Sequence, residues 1–323
     1  MIIKQTLVLF ISLLFSLLFI TKANATCEMT GDALNTSNGV GTPVNDSDIG
    51  VGDACNYVPD TYQVEFYRMS LCTSNPDVAG EAQPDLSSCV DMLAETGETT
   101  QVNIVGTTET SLDVPDFTIP AGTYPYMVAR LSARLGIRHA FEATTAVAYG
   151  DANGVVQAAG TYCWTVNNVL TGIDNASSQS TPFGTTVDAG SADQSNMQCS
   201  NTSTDVGNAE FSYEVVYVND DSGCGSFDSS DGDRADGGNV GNGAAISRMM
   251  QSATTSATSC ANTNSILWTI ALTTPLVVTE TSNFVMNFRT TDAVSIDFNG
   301  GASVNPLIVK VGADPIQAYL TVN

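Results

Sequence analysis

The chain has 323 residues, with 34 acidic against 10 basic side chains, one histidine and a formal net charge of −24. So acidic a chain repels phosphate backbones and anionic lipid, which argues against nucleic acid as a partner and against adsorption to a negative membrane surface. Its length suffices to bury a sizeable core, in one large domain or two small ones.

The first 25 residues read as a secretory signal peptide. Lys4 supplies the positive start, Leu7 to Ile20 is almost wholly apolar, and Ala23-Asn24-Ala25 is a small-x-small cleavage site. The apolar run is short for a membrane span, and no later stretch is long and apolar enough to be one. The expectation is export, to the periplasm, the cell surface or the medium. All eight cysteines follow this segment, and an even count on an exported chain reads as disulfides. Pairing sequence neighbours gives Cys27–Cys55, Cys72–Cys89, Cys163–Cys199 and Cys224–Cys260. Each pair brackets a polar, turn-rich loop that a crosslink stabilises by roughly 3–4 kcal/mol in the chain-entropy picture.

Residues 26–59 are rich in Gly, Asn, Asp and Ser, and read as an irregular arm held by a disulfide. Tyr62 to Cys72 (YQVEFYRMSLC) then alternates as a core strand. Tyr62, Val64 and Phe66 fall on one face, and Glu65, Tyr67 and Met69 on the other. Glu65 and Arg68 are its charged side chains, and cross-strand ion pairing is their simplest use. Further strands are expected at 90–93, 101–105 and 111–119. In Thr123 to Ala133 the residues Arg130, Arg134 and Arg138 follow helical spacing. The preceding Pro120-Ala121-Gly122 turn, the tyrosines and Pro125 favour a strand. Ile137 to Thr144 and Gly160 to Val169 continue the pattern.

Thr171 to Asn208 is polar and nearly aperiodic, an excursion pinned by Cys199 or a boundary between two β units. Glu210 to Asn219 restarts the alternation, and an acidic Gly/Ser loop follows. Ala244 to Ala253 is the one helix candidate. Strands at 265–272, 276–279, 284–290, 293–298, 307–311 and 316–322 complete the chain. The expected fold is all-β, an antiparallel sandwich of immunoglobulin-like or jelly-roll-like type over 60–323, with long polar loops and one short helix.

The frame PDTYQVEFYRMSLCTS…DLSSC, then IPAGTYPYMVARLSARLGIRHAFE, GTYCWT and FVMNFRTTDAVSID, resembles a group of uncharacterised secreted β-rich proteins of marine bacteria. These motifs are strands, turns and cysteines. The resemblance implies a β fold and export, and carries no functional residues.

Several chemistries are missing. His139 is the sole histidine, so an HExxH peptidase and a multi-histidine metal site are out, and there is neither a GxSxG motif nor a phosphate-binding loop. A carboxylate pair of the glycosidase kind needs only two acids across a cleft. Asp228, Asp231, Asp233 and Asp236, with Asp220 and Asp221, crowd an acidic loop in which flexible glycines could turn carbonyls toward Ca2+. Its DxDxxDG spacing has one residue too many, and no closing Glu follows. Arg130, Arg134 and Arg138 form the one basic patch, fit to grip a carboxylate on an acidic glycan or partner, or to pair with the chain's own surplus acids. Trp164 and Trp268 sit in strongly patterned strands, as core residues or a sugar-stacking platform. The expected role is structural or adhesive and non-enzymatic, with self-association or a surface glycan as partner classes. The alternatives are a calcium-dependent carbohydrate-binding module and a two-carboxylate carbohydrate-active enzyme.

Overall fold

The computed structural model describes residues 27, 29–34, 53–93, 100–105, 110–111, 118–150, 156–167, 169–171, 196–215, 227–239, 241–259, 262–291, 293–299, 307–313 and 316–322. The expected signal peptide, residues 1–25, and Cys224 and Cys260 lie outside them.

In chain order the strands are β1 (Met29–Thr30), β2 (Ala33–Leu34), β3 (Asp53–Tyr57), β4 (Thr61–Cys72), β5 (Cys89–Leu93), β6 (Thr100–Val105) and β7 (Thr110–Ser111). Next come β8 (Gly122–Ser132), β9 (Arg134–Arg138), β10 (Ala140–Gly150), β11 (Val156–Thr165), β12 (Val169–Thr171), β13 (Met197–Ser200) and β14 (Ser212–Val215). The last are β15 (Ala235–Asn239), β16 (Gly243–Met250), β17 (Ser265–Val278), β18 (Phe284–Arg289), β19 (Val294–Asn299), β20 (Leu307–Ala313) and β21 (Gln317–Val322). The one helical element among the described residues is a 3-10 turn, Ser203–Asn208.

The protein is an all-β sandwich. Its largest sheet runs β12-β14-β9-β4-β8-β17-β16-β15, with β5 and β6 also paired to β4. A second sheet runs β1-β2-β10-β20-β19-β3, with β11 and β13 added beside β10, and a small third sheet is β21-β18-β7. Parallel pairing joins β10 to β2 and β20, and β12 to β14; every other described pair of strands is antiparallel. β8 pairs with β17, and β9 with β14, so strands before and after residues 171–208 share a sheet.

The centre of the large sheet is buried on both faces. Phe66, Met69, Leu71, Leu131, Ile266, Trp268 and Ile270 form an inner core with Met286, Phe288 and Leu320 of the small sheet. The second sheet has its own core, which also takes Ile137 from β9. On the outer face, Val128, Met250 and Leu267 pack with the Cys72–Cys89 disulfide, and Leu86 of the loop it closes packs against them.

β4 departs from strict alternation. Phe66 pairs with Leu131 but Arg68 with Arg130, so Tyr67 is one residue extra in β4. That bulge inverts the phase, and Met69 joins Tyr62, Val64 and Phe66 in the core rather than facing away from them. The helix expected at Ala244 to Ala253 is instead strand β16 through Met250. Ala245 and Met249 enter the inner core while Arg248 and Met250 are buried on the outer face. A strand apolar on both faces hides its period of two, and Ala, Arg and Met then imitate a helix. The arm is not irregular throughout: β3 pairs with β19, and β2 with β10.

Three disulfides are formed, Cys27–Cys55, Cys72–Cys89 and Cys163–Cys199. They mark a chain matured in an oxidising, exported environment. No helix among the described residues is long and apolar enough to cross a membrane.

Candidate functional site

β9 is held between β4 and β14. Gly136 pairs with Gln63 on one side and with Tyr213 on the other, and Arg138 pairs with Thr61. Leu135 and Ile137 point into the two cores, so Arg134, Gly136 and Arg138 share the outer face. A Cβ on Gly136 would come within 2.9 Å of Tyr213 Cε1 and 3.0 Å of Gln63 Cβ. The absent side chain lets the Tyr213 ring lie across β9.

The neighbouring side chains form a ladder of cations and aromatic rings. Arg134 Cζ stands 3.9 Å from the Tyr213 ring centroid. Tyr213 stacks on Phe211 with centroids 6.2 Å apart, and Arg138 Cζ lies 5.6 Å from the Phe211 ring. Guanidinium stacked by its face keeps its in-plane N–H donors at the edge, where carboxylates are bound side-on. Arg138 is exposed, and its Nη2 donates to Thr61 Oγ1 at 2.9 Å. Among the described residues no carboxylate pairs with it, although the chain carries 34 acidic side chains. Asp60, the neighbour of Thr61 in the chain, instead accepts a hydrogen bond from the Ala140 N–H and faces His139. Beside Arg134, burial pushes the Glu65 carboxyl up and the arginine opposes that rise.

The ladder stands on a fixed support. On the inner side of β14, the Ala313 N–H donates to Glu214 Oε2. Asn196 bridges Ser212 Oγ, at 2.9 Å, and the Val311 carbonyl, at 2.7 Å. These bonds tie β14 to β20 of the second sheet, so Phe211 and Tyr213 are carried by backbone anchored from behind.

Of the three arginines singled out in the sequence, Arg134 and Arg138 come together here. Arg130 does not join them at the surface. It is buried on β8, donates to Ser265 Oγ at 2.8 Å and to Asn264 Oδ1, and lies over Tyr67. Arg68 makes the cross-strand ion pair expected of β4, with Asp91 of β5, through two N–H···O bonds at 2.7 and 3.1 Å. Trp164 and Trp268 are both buried, which removes them as a platform.

The acidic loop is a turn that uses its own carboxylates. Asp228 Oδ1 accepts from the Ser230 N–H, Asp231 Oδ1 from Arg234, and Asp233 Oδ1 from Asp228. Asp228 is held below the usual carboxylate range by its bonds with Ser230. Asp236 falls in β15, and Asp220 and Asp221 lie outside the described residues. Among the described residues no three His, Cys, Asp or Glu side chains gather as a metal-binding group.

Behind this turn lies a buried ion cluster that no sequence signal announces. Asp77, from the loop closed by Cys72 and Cys89, receives Arg248 Nη2 at 2.6 Å and Arg234 Nε at 3.1 Å. Arg248 also donates to Ser256 Oγ and to the Glu81 carbonyl. Both Arg248 and Asp77 have no exposed side-chain surface.

His139 sits where β9 passes into β10, between the rings of Tyr57 and Phe141 at 4.8 and 5.7 Å. Neither ring nitrogen has a hydrogen-bond partner among the described residues, and burial lowers its pKa from 6.5 to about 4. A neutral imidazole enclosed by aromatic rings, with Asp60 Oδ2 at 3.8 Å, is a core residue and not a general base poised for substrate.

β21 lies at the edge of the small sheet, where a neighbour's strand could add. That edge is partly occupied: the Leu320 N–H donates to Asn242 Oδ1, and a Cβ on Gly241 would come within 2.1 Å of the Ala318 carbonyl oxygen. Comparison of the chain with protein-family profiles, with curated proteins and with solved structures gave no match.

Proposed function

We propose that this is an exported, non-enzymatic β-sandwich with a structural or adhesive role, exerted by presenting the Arg134–Tyr213–Phe211–Arg138 ladder to an anionic partner. The observation that carries the reading is Arg138. In a chain with more than three acids for each base, it is exposed, oriented by Phe211 and Thr61, and paired with no described carboxylate. A guanidinium in that setting has its edge available for a two-point hydrogen bond to a carboxylate. The sequence supports the non-catalytic part, since its single histidine is buried and its cysteines were expected to be oxidised. The proposal does not call on calcium: one oxygen each of Asp228, Asp231 and Asp233 accepts a hydrogen bond from the turn's own N–H groups.

The test is retention of the processed chain on beads bearing alginate, on beads bearing the protein itself, and on plain agarose. Retention on a carboxylate-rich surface, lost in about 1 M salt and in Arg138→Glu, is the expected result. Equal retention on plain agarose, or turnover of a polysaccharide, would overturn the proposal.

A further inference from the structure

The ladder is one end of a face that crosses four strands. The register of β6, β4 and β9 lines up Val105, Thr61 and Arg138 in one row, and Asn103, Gln63 and Gly136 in the next. Tyr213 of β14 continues the second row, and Phe211 stands beside Arg138 at the end of the first. From β6 to β14 is three strand spacings, about 14 Å. Arg138, Asn103 and Val105 are exposed, and Phe211 and Tyr213 are half-buried.

One cation stands in these rows, and the rest of each row is uncharged. Gln63 Nε2 donates to Asn103 Oδ1 at 3.0 Å, which turns the Asn103 amide nitrogen away from that bond. Val105 and the Phe211 ring, on either side of Arg138, are apolar. Acids border the rows. Asp60 precedes Thr61, Glu210 precedes Phe211, and Glu65 lies further along β4 beside Arg134. A polymer charged on every unit meets a single attracting guanidinium among three carboxylates, on a chain of net charge −24. At 0.15 M salt, charges within about 8 Å are still felt. A polymer with no charge leaves Arg138 unanswered.

We infer that the ligand of this face is a sparsely charged uronate glycan, a polysaccharide whose carboxylate-bearing sugars are separated by neutral ones. The inference rests on the proposed anionic-partner face and names the class of its ligand. One carboxylate takes the edge of Arg138. Neutral sugars on either side lay C–H surface on Phe211 and Val105, and an oxygen accepts from the Asn103 amide. Sugar hydroxyls donate to Asp60 and Glu210. Those donors turn the bordering acids into acceptors, which a second carboxylate cannot do.

The test is retention of the processed chain, at about 150 mM sodium chloride, on beads bearing polygalacturonate that is unesterified, partly methyl-esterified or fully methyl-esterified. Retention strongest on the partly esterified polymer is the expected result. Arg138→Gln lowers affinity for it at least about tenfold, the loss of a charged hydrogen-bonded contact. Asn103→Ala, at an exposed site, lowers it about threefold without moving the melting temperature. Glu210→Gln strengthens retention on the unesterified polymer, because one repelling acid is gone. Retention that climbs steadily with charge density overturns the inference and leaves the anionic-partner reading intact, as does retention only on beads bearing the protein itself. Indifference to Asn103→Ala or to Glu210→Gln also overturns it. Strongest retention on the fully esterified polymer, or none on any carboxylate-bearing bead, removes both readings.

Discussion

Arg248 and Arg138 stand on the same outer face of the same sheet and have opposite fates. Arg248 lies under the Cys72–Cys89 loop, with no exposed side-chain surface, and is met by Asp77, Ser256 and the Glu81 carbonyl. Arg138, on the uncovered part of the face, has a hydroxyl and an aromatic ring but no described carboxylate. Burial forces a charge to find its counter-charge, because removing an ion from water costs several kcal/mol. Exposure imposes no such demand. A paired buried arginine therefore speaks of architecture, whereas the oriented exposed one is what the proposed partner contact rests on.

The comparison predicts its largest effect at Asp77. Asp77→Ala leaves Arg248 buried without a counter-charge and should cost about 3–5 kcal/mol. Chemical denaturation of the purified variant measures it. The double change Asp77→Ala with Arg248→Met should recover much of that loss, since an apolar replacement removes the stranded charge. A single variant as stable as the parent would mean that the cluster is not what holds the loop down.

His139 shows the other response to burial, which is to lose the charge. Its pKa falls from 6.5 to about 4, through burial first, with Asp60 opposing. The unfolded chain takes up a proton near pH 6.5, while the folded chain resists until about 4. The stability contributed by the neutral ring is complete above pH 6.5 and is lost as pH falls toward 4, amounting to about 3 kcal/mol. Many carboxylates titrate below pH 5, so the informative quantity is the difference between the parent and His139→Phe. The variant should lack this part of the acid sensitivity between pH 6.5 and 4. Parallel stability curves across that window would show that the imidazole is accessible to protons in the folded protein.

The legible features were local. Tyr62 to Cys72 announces its strand by alternation, and three of the four neighbouring cysteine pairs close as expected. The fourth, Cys224–Cys260, lies outside the described residues. What escaped depends on partners distant in the chain. The bulge at Tyr67 exists only against β8, and the strand at Gly243–Met250 looks helical because both its faces are covered. Asp77 and Arg248 lie 171 residues apart, and neither neighbourhood hints at the other. At the candidate site, the basic cluster was visible, but its division was not. The bend at Ala133 ends β8 and leaves Arg130 buried on that strand, while Arg134 and Arg138 go to β9. Phe211 and Tyr213 read as ordinary strand residues, since nothing in FSYEV says that it lands beside RLGIR.

The smallest expected stability effect is the one that completes the comparison. Arg138→Gln removes one hydrogen bond to Thr61 and a cation–ring contact at 5.6 Å, both at the surface. Contacts of that kind contribute roughly 0.5 kcal/mol, and the shorter polar side chain still reaches water. The melting temperature should therefore stay within about 2 °C of the parent. Retention on carboxylate-bearing beads should fall all the same, because glutamine has neither the charge nor the planar fork that grips a carboxylate. A change of several kcal/mol would make Arg138 a structural residue like Arg248, and the contrast between the covered and open parts of the face would vanish. A variant that is both stable and fully retained would move the partner surface elsewhere, with Arg134 and Tyr213 serving only to pack β14 against β9.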